Sequence, residues 1–419
     1  MRFIMKTNLF TSLLKKCIYG LSWFFPRQGN KAVFGCYKNL FADNSKYLYL
    51  HWHKNKFMHV IWISGDASLV NALRKKGFIA YERWSLEGVY HALTARFYIY
   101  NSYIGDVNQW FASGSIKINL WHGSPLKRIE FDIDHGPLAH KYQSNSYWQK
   151  TWHSLLYHQE YVRPQLMLSP SPLVDRLFCS AFRLQKKQLL SCGNPRTDFY
   201  RRYPDKCQSI NSKPDGTSYK KVILYAPSWR DANLSNTETV QSPYEKAFNW
   251  GVLSQFLVNS DCLFLLRLHP NERHYAKHFS AYPNVRDISS WEDVYGILHQ
   301  VDLLLTDYSS LFIDVLPLNI PIVFYLFDHE SYIKNSRNCY EYSQCLPQAG
   351  LIAYGFEELI NILKNNTSKK QTETLHLAYT QLQKLYWQEM NEHSDCFELL
   401  ERYICRRNLL KSPLNTQIS

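Results

Sequence analysis

From Lys31 onward, apolar residues fall into short unbroken runs, separated by stretches in which they recur every three or four positions. Runs of the first kind are buried strands and stretches of the second are amphipathic helices. "KAVFGCY" (Lys31–Tyr37), "MHVIWIS", "RFYIYNS" and "SIKINLWH" read as strands. "FADNSKYLYLHWHKN" reads as a loop entering a helix, and "SLVNALRKKG" as a helix closed by Gly77. The rhythm restarts near Tyr219, with "KKVILYAPSW", "CLFLLRLHP", "NVRDIS", "DLLLTD", "PIVFYLF" and "GLIAY" as strands. "WEDVYGILHQ", "YSSLFIDVLPL" and "FEELINILKN" read as helices between them. Alternation of this kind argues parallel sheets covered on both faces.

The polar stretch "CQSINSKPDGTSYK" (Cys207–Lys220) is the expected linker. "GNPRTDFY" (Gly193–Tyr200) reads as a turn just before it. The expected organisation is an N-terminal helix over 1–30, one domain over 31–206 and a second over 207–419. A helical tract from about Gln371 to Arg407 is placed to cross back onto the first domain. The fold class is α/β of GT-B type: two Rossmann-like doubly wound domains facing a central cleft, with ligands at the C-terminal ends of the strands. Neither half carries G-x-G-x-x-G or a P-loop lysine, so a dinucleotide or ATP site of the usual kind is not supported.

Before this alternation, Phe10, Leu13, Leu14, Cys17, Ile18, Leu21, Phe24 and Phe25 recur at helical spacing until Pro26. Lys6, Lys15 and Lys16 fall mostly off that stripe, and no acidic residue precedes Asp43. Such a basic amphipathic helix can lie in an anionic membrane surface, each cation adding roughly 1 kcal/mol. The alternative is a helix packed on its own domain. The run is split by Lys15 and Lys16 with no small-residue cleavage site after it, which argues against a secretory signal. No stretch of apolar residues is long enough to span a bilayer.

The net charge of +13 favours an anionic partner without choosing one. The ten cysteines form no C-x-x-C pair or zinc-type spacing and read as reduced thiols. No metal cage is visible; a divalent ion carried by a diphosphate ligand is compatible with that.

Four segments carry candidate chemistry. In "LLLTDYSSLFIDV" an apolar strand stops at Thr306 and a helix starts near Ser309 and Ser310, a place for an anion, with Asp314 one turn on. Plain helix capping is the bland alternative. In "LLRLHP", Arg267 and His269 share one face at a strand end, suited to a phosphate or else to an internal ion pair. In "YAPSWRD", Arg230 is a second phosphate candidate, or a partner for Asp231. In "NLWHGSPLKRIEFD", His122 ends a strand and can take a hydroxyl proton near neutral pH. Gly123 leaves room beside it, and Lys127 and Arg128 suit an anionic acceptor. A polar residue merely ending a buried strand is the alternative.

The ordered set "WHGSPLKR…FD", "SPSPLVDRLF", "GNPRTDFY", "ILYAPSWRD", "LRLHP" and "DLLLTDYSSLFIDVLPLNIPIVFYLFD", with "FADNSKYLY" near the start, resembles the CDP-glycerol glycerophosphotransferase family. These are primases and polymerases of teichoic acids and related capsular polymers. The resemblance spans roughly Ala32 to Leu363. It implies a peripheral enzyme on the cytoplasmic face of the membrane, without a tightly bound cofactor. It would move glycerol phosphate from CDP-glycerol, or a related polyol or sugar phosphate, to a lipid-linked or glycan hydroxyl and release CMP. It also implies His122 as base, His269 as second essential residue, and the segment Thr306, Asp307, Tyr308, Ser309 and Ser310 as the donor diphosphate site. Ser124 stands where Thr is common. Gln348 replaces a usual Gly, and Glu130 stands where a small residue, often Gly, is usual. The last change lies on the acceptor side and bears on acceptor choice. A glycosyltransferase using a nucleotide sugar is the alternative enzyme. A basic RNA-binding or membrane-scaffold protein is the remote one, and no nucleic-acid partner is expected because the motifs cluster at strand ends.

Overall fold

Buried apolar runs become the strands of two all-parallel sheets in the computed structural model. The structure describes residues 9–136, 138–144, 146–207, 209–230, 242–269, 271–291, 293–335, 340, 350–365, 369–387, 395–407 and 409. Lys6, Asp231, Pro270, Cys339, Cys345 and Gln348 lie outside the described residues.

The first sheet contains β1 (Gln28–Phe34), β2 (His59–Ser64), β3 (Ala80–Glu82), β4 (Ala95–Tyr100), β5 (Ile116–Asn119), β6 (Leu166–Ser169) and β7 (Leu189–Ser191). Its order is β3-β2-β1-β4-β5-β6-β7. The second contains β8 (Lys221–Tyr225), β9 (Cys262–Leu266), β10 (Val285–Asp287), β11 (Leu303–Thr306), β12 (Ile322–Tyr325) and β13 (Leu351–Ala353). Its order is β10-β9-β8-β11-β12-β13. The strand order reverses between β1 and β4 in one and between β8 and β11 in the other. At such switch points loops diverge and leave room for a ligand at the strand C-termini. The expectation of two Rossmann-like α/β domains holds.

The first unit comprises Met1–Ser124, Ile129–Arg202 and Trp387–Ser419; the second comprises Pro125–Arg128 and Tyr203–Tyr386. The division therefore falls at Arg202 and Tyr203 rather than at 206, and the helix Cys396–Arg406 belongs to the first unit. The physical reason is its apolar face. Phe397, Leu400 and Ile404 are fully buried, and the Phe397 ring stacks on His51 at 4.1 Å. "GNPRTDFY" is a helix, Pro195–Arg202, not a turn. Its proline at the first helical position and Asp198 in the first turn are favourable there. "WEDVYGILHQ" yields only a 3-10 helix, Tyr295–Gln300.

The N-terminal helix Leu9–Leu21 packs against the helix Tyr147–Leu156 in the first unit. Tyr19 meets the His158 ring edge-on at 4.7 Å, and Ser12 and Ser22 are buried. Just beyond, the Arg27 guanidinium donates to the carbonyls of Ser22, Ala92, Ala95, Phe111 and Ser113. The apolar stripe itself is not absorbed: Phe10, Leu13, Leu14, Leu21, Trp23, Phe24 and Phe25 are exposed. Tyr147, Trp148 and Trp152 on the neighbouring helix are exposed too. Among the described residues no helix is long and apolar enough to cross a membrane.

Candidate active site

In the first unit the chain leaves β5 at Asn119 and turns sharply. Trp121 sits in the left-handed region at φ +49 and Gly123 at φ +140. The Trp121 N–H is satisfied by Asn119 Oδ1 at 2.8 Å. Asn44 Nδ2 donates to the Trp121 carbonyl at 2.8 Å and the Leu120 carbonyl at 3.3 Å. Arg196 Nη1 donates to the His122 carbonyl at 3.0 Å and pairs with Asp43 Oδ1 at 2.8 Å.

This turn leaves His122 an exposed residue, its ring tilted against Trp121 at 4.1 Å. Its Nδ1 lies 3.1 Å from the Asn101 carbonyl oxygen. A carbonyl can only accept, so the geometry assigns the proton to Nδ1 and leaves Nε2 with its lone pair. Although the residue is exposed, surrounding protein desolvates its ring and lowers its pKa below the ordinary value; Asp43 and the Asn101 carbonyl oppose that, and Arg196 reinforces it.

The neighbours expected on the acceptor side divide. Gly123 is half-buried beside His122. Ser124 is buried, and among the described residues its Oγ has no hydrogen-bond partner. Lys127 and Arg128 are half-buried and group with the second unit, where Lys127 Nζ lies 4.8 Å from the centre of the Tyr332 ring. Glu130 requires correction. It is buried at φ +48, and Tyr103 donates a 2.7 Å hydrogen bond to its carboxylate. Burial pushes its pKa up to about 6 against the opposing phenol bonds of Tyr103 and Tyr142. A positive φ is a conformation that glycine adopts most readily; here a buried hydrogen bond holds a larger residue in it.

In the second unit β8, β9 and β11 end at the switch point. Arg267, Leu268 and His269 continue past β9 with the strand's alternation, Leu268 buried and the other two half-buried. The His269 ring stacks on Trp229 at 5.1 Å. Its Nδ1 accepts from the Asn271 N–H at 3.3 Å, which places the ring proton on Nε2 as a donor. The two histidines are thus set in opposite tautomers, one presenting an acceptor nitrogen and the other an N–H.

Four residues expected to meet the donor diphosphate are otherwise engaged. Arg230 is buried; its Nη1 lies 2.6 Å from Asp307 Oδ2, and its Nε and Nη2 form a two-point bond with Asp328 at 2.7 and 3.0 Å. Asp307 also accepts from the Ser228 N–H at 2.7 Å, tying the loops after β8 and β11 together. The Thr306 hydroxyl donates to the Ala226 carbonyl at 2.7 Å. Asp314 is buried and accepts from the Tyr295 hydroxyl at 2.8 Å. Ser309 and Ser310 remain half-buried before the helix Leu311–Val315. Five residues give that helix little macrodipole, so its field alone offers little to an anion.

Sequence reasoning missed Asn101, Asp43 and Asn44 entirely, and offered Arg196 either Asp198 or a ligand as partner where the structure pairs it with Asp43. "FADNS" and "GNPRTD" were the available signals. Among the described residues no group of three or more His, Cys, Asp or Glu is arranged to hold a metal ion.

Residues 17–395 match the family model described as CDP-glycerol:poly(glycerophosphate) glycerophosphotransferase. A teichoic acid poly(glycerol phosphate) polymerase of Bacillus spizizenii is 27% identical over 405 residues, 91% of this chain and 94% of that protein. A teichoic acid glycerol-phosphate transferase of Staphylococcus aureus is 29% identical over 272 residues, 62% of this chain and 65% of that protein. Among solved structures, the wall teichoic acid polymerase TagF, soaked with CDPG, superposes with a TM-score of 0.71 at 21% identity, covering 99% of this chain and 100% of that one.

Proposed function

We propose, because this chain belongs to the CDP-glycerol:poly(glycerophosphate) glycerophosphotransferase family, that it transfers glycerol phosphate from CDP-glycerol to a hydroxyl of a membrane-borne acceptor. The acceptor oxygen bonds to the phosphorus that carries the glycerol. The bond from that phosphorus to the bridging oxygen breaks, and CMP departs with that oxygen. Such transfers depend on alignment and charge stabilisation rather than on covalent catalysis.

The opposite tautomers of His122 and His269 carry this reading. His122 Nε2 takes the acceptor's hydroxyl proton. His269 Nε2–H donates to a phosphate oxygen as charge builds on it, with Arg267 on the same face and Ser309 and Ser310 supplying further donors. Arg230, Asp307, Thr306 and Asp314 shape that site without touching the donor. Gly123 and Ser124 border the acceptor hydroxyl, and Lys127 and Arg128 attract an anionic acceptor chain.

The membrane partner is supported by the exposed aromatic and apolar surface of the helices Leu9–Leu21 and Tyr147–Leu156, with Lys15 and Lys16 half-buried on the first. Aromatic residues beside cations suit the headgroup region of an anionic cytoplasmic leaflet. The reaction is tested by incubating the purified protein with CDP-glycerol or CDP-ribitol and solubilised bacterial membranes, then identifying products by mass spectrometry. CMP with a glycerol phosphodiester is the expected pair. A glycosidic product, or turnover of CDP-ribitol alone, overturns the reading.

A further inference from the structure

The turn carrying His122 has left its sheet, so its carbonyls have no strand partner to accept from. Three in succession are met by side chains instead: Leu120 and Trp121 by Asn44, His122 by Arg196. Trp121 is held at φ +49 within it. A bulky residue there is strained, and such strain persists only where the surroundings over-determine the conformation.

We propose that Arg196 is the positioning residue of this turn: braced on Asp43, its guanidinium holds the His122 carbonyl and so fixes where the imidazole stands. This rests on the reading of His122 as the base. Three observations carry it. The Arg196 side chain is only 3% exposed, and its Nη1 reaches both Asp43 and the His122 carbonyl. The Arg196 backbone N–H donates to Asn44 Oδ1 at 3.1 Å, so both side chains that hold the turn are themselves joined. The helix bearing Arg196 is anchored in turn, since Asp198 accepts from the Cys396 N–H at 2.8 Å and Arg202 pairs with Asp395 at 2.5 Å. A lysine would supply the charge but not the planar fork that fixes direction.

The charged groups acting on the imidazole are Asp43, from the start of the helix Asp43–Asn55, and Arg196, from the helix Pro195–Arg202. The first raises its pKa and the second lowers it. Removing either therefore moves the base in an opposite direction, a signature that loss of packing alone does not produce.

The test compares Arg196→Lys, Arg196→Met, Asp43→Asn and His122→Ala in full-length protein, with folding checked by circular dichroism and thermal unfolding. Glycerol phosphate transfer from CDP-glycerol to solubilised membranes gives kcat, the KM for CDP-glycerol and the pH profile of kcat/KM. Arg196→Lys is expected to lose about 10–100-fold in kcat, the scale of a misplaced reacting group, with KM unchanged. The acidic limb moves to higher pH in Arg196→Met and to lower pH in Asp43→Asn. Wild-type kcat in Arg196→Lys, or limbs that stay still or move together, overturns the proposal. If Arg196→Met does not fold, Arg196→Lys and Asp43→Asn decide. An active His122→Ala overturns the base reading itself; an inactive His122→Ala beside unaffected Arg196 variants overturns only the positioning role.

Discussion

Arg230 and Asp307 form a buried ion pair 2.6 Å apart that joins the loop after β8 to the loop after β11. Asp328 completes the site through a two-point bond to the same guanidinium. Nearby carboxylates hold the guanidinium protonated against the cost of its burial. Breaking such a site leaves uncompensated buried charge, at about 3–5 kcal/mol. Arg230→Met is expected to lower the unfolding free energy of the second unit by that order, read from denaturant unfolding. Activity should fall in step with the folded fraction. A stable Arg230→Met protein with a raised KM for CDP-glycerol would instead restore Arg230 as a donor ligand.

His122→Ala and His269→Ala are each expected to reduce turnover by about 10²–10⁴-fold, the usual reach of a positioned acid or base. Neither ring is a core residue, so unfolding midpoints should stay close to wild type. The pH profile adds a sign. The folded pKa of His122 lies below its ordinary value, and the base must be neutral to act. Activity is thus lost only as pH falls through that lowered pKa. The acidic limb of kcat/KM should lie below about 6.5, the unperturbed imidazole value; a limb above it would sink the assignment.

Glu130 links a strained backbone to a pH effect. Its folded pKa is raised to about 6 from 4.5. The folded state therefore holds its proton more tightly than the unfolded chain. The protonated form's contribution is complete below the unfolded value and is lost as pH rises through the folded one. The cost above that window is on the order of 2 kcal/mol. Glu130→Gln keeps the shape and removes the charge. Urea unfolding should show it at least as stable as wild type at pH 8, with a flatter dependence between pH 4 and 7. Equal pH slopes for the two proteins would count against this account.

The fold was legible because both sheets are built from runs such as "CLFLL", in which every residue is buried. The strand-end positions of His122 and His269 were legible for a related reason, since polar residues just beyond such runs stand there. What escaped depended on long separations and on backbone groups. Arg230 finds Asp328 98 residues away rather than its chain neighbour. The Asn101 carbonyl that orients His122 exists at every position of any sequence, so it leaves no mark. Glu130 misled because its role follows from a positive φ that composition does not reveal.

The exposed aromatic surface predicts a salt-dependent membrane interaction. Trp148 is 80% exposed and Phe24 81%, an unusual expenditure of apolar area in water. Burying one such side chain in a bilayer interface stabilises by about 1.5–3 kcal/mol. Trp148→Ser with Trp152→Ser should weaken binding to phosphatidylglycerol-containing vesicles by about tenfold or more in a sedimentation assay. Raising salt should weaken wild-type binding further. Binding that is indifferent to both substitutions and to salt would remove this surface from consideration.

The helix Cys396–Arg406 offers a test of how the first unit is closed. Phe397 is fully buried and stacks on His51, whose Nε2 lies 3.1 Å from Glu401 Oε1 on the same helix. Asp198 receives the helix's first N–H, and Asp395 accepts from the Glu398 N–H at 3.0 Å. The helix is therefore held by an apolar ring stack and by caps at its N-terminus, and each should fail separately. Phe397→Ala removes the stack and leaves a cavity, at about 3–5 kcal/mol. Asp395→Ala removes one cap, at about 1 kcal/mol. Chemical denaturation of the two variants should rank them in that order. Because the Pro195–Arg202 helix that presents Arg196 is tied to the same element through Asp198, hydrogen exchange there should quicken in Phe397→Ala. Protection there that matches wild type, in a protein destabilised elsewhere, would show that this helix is not braced by the C-terminal one.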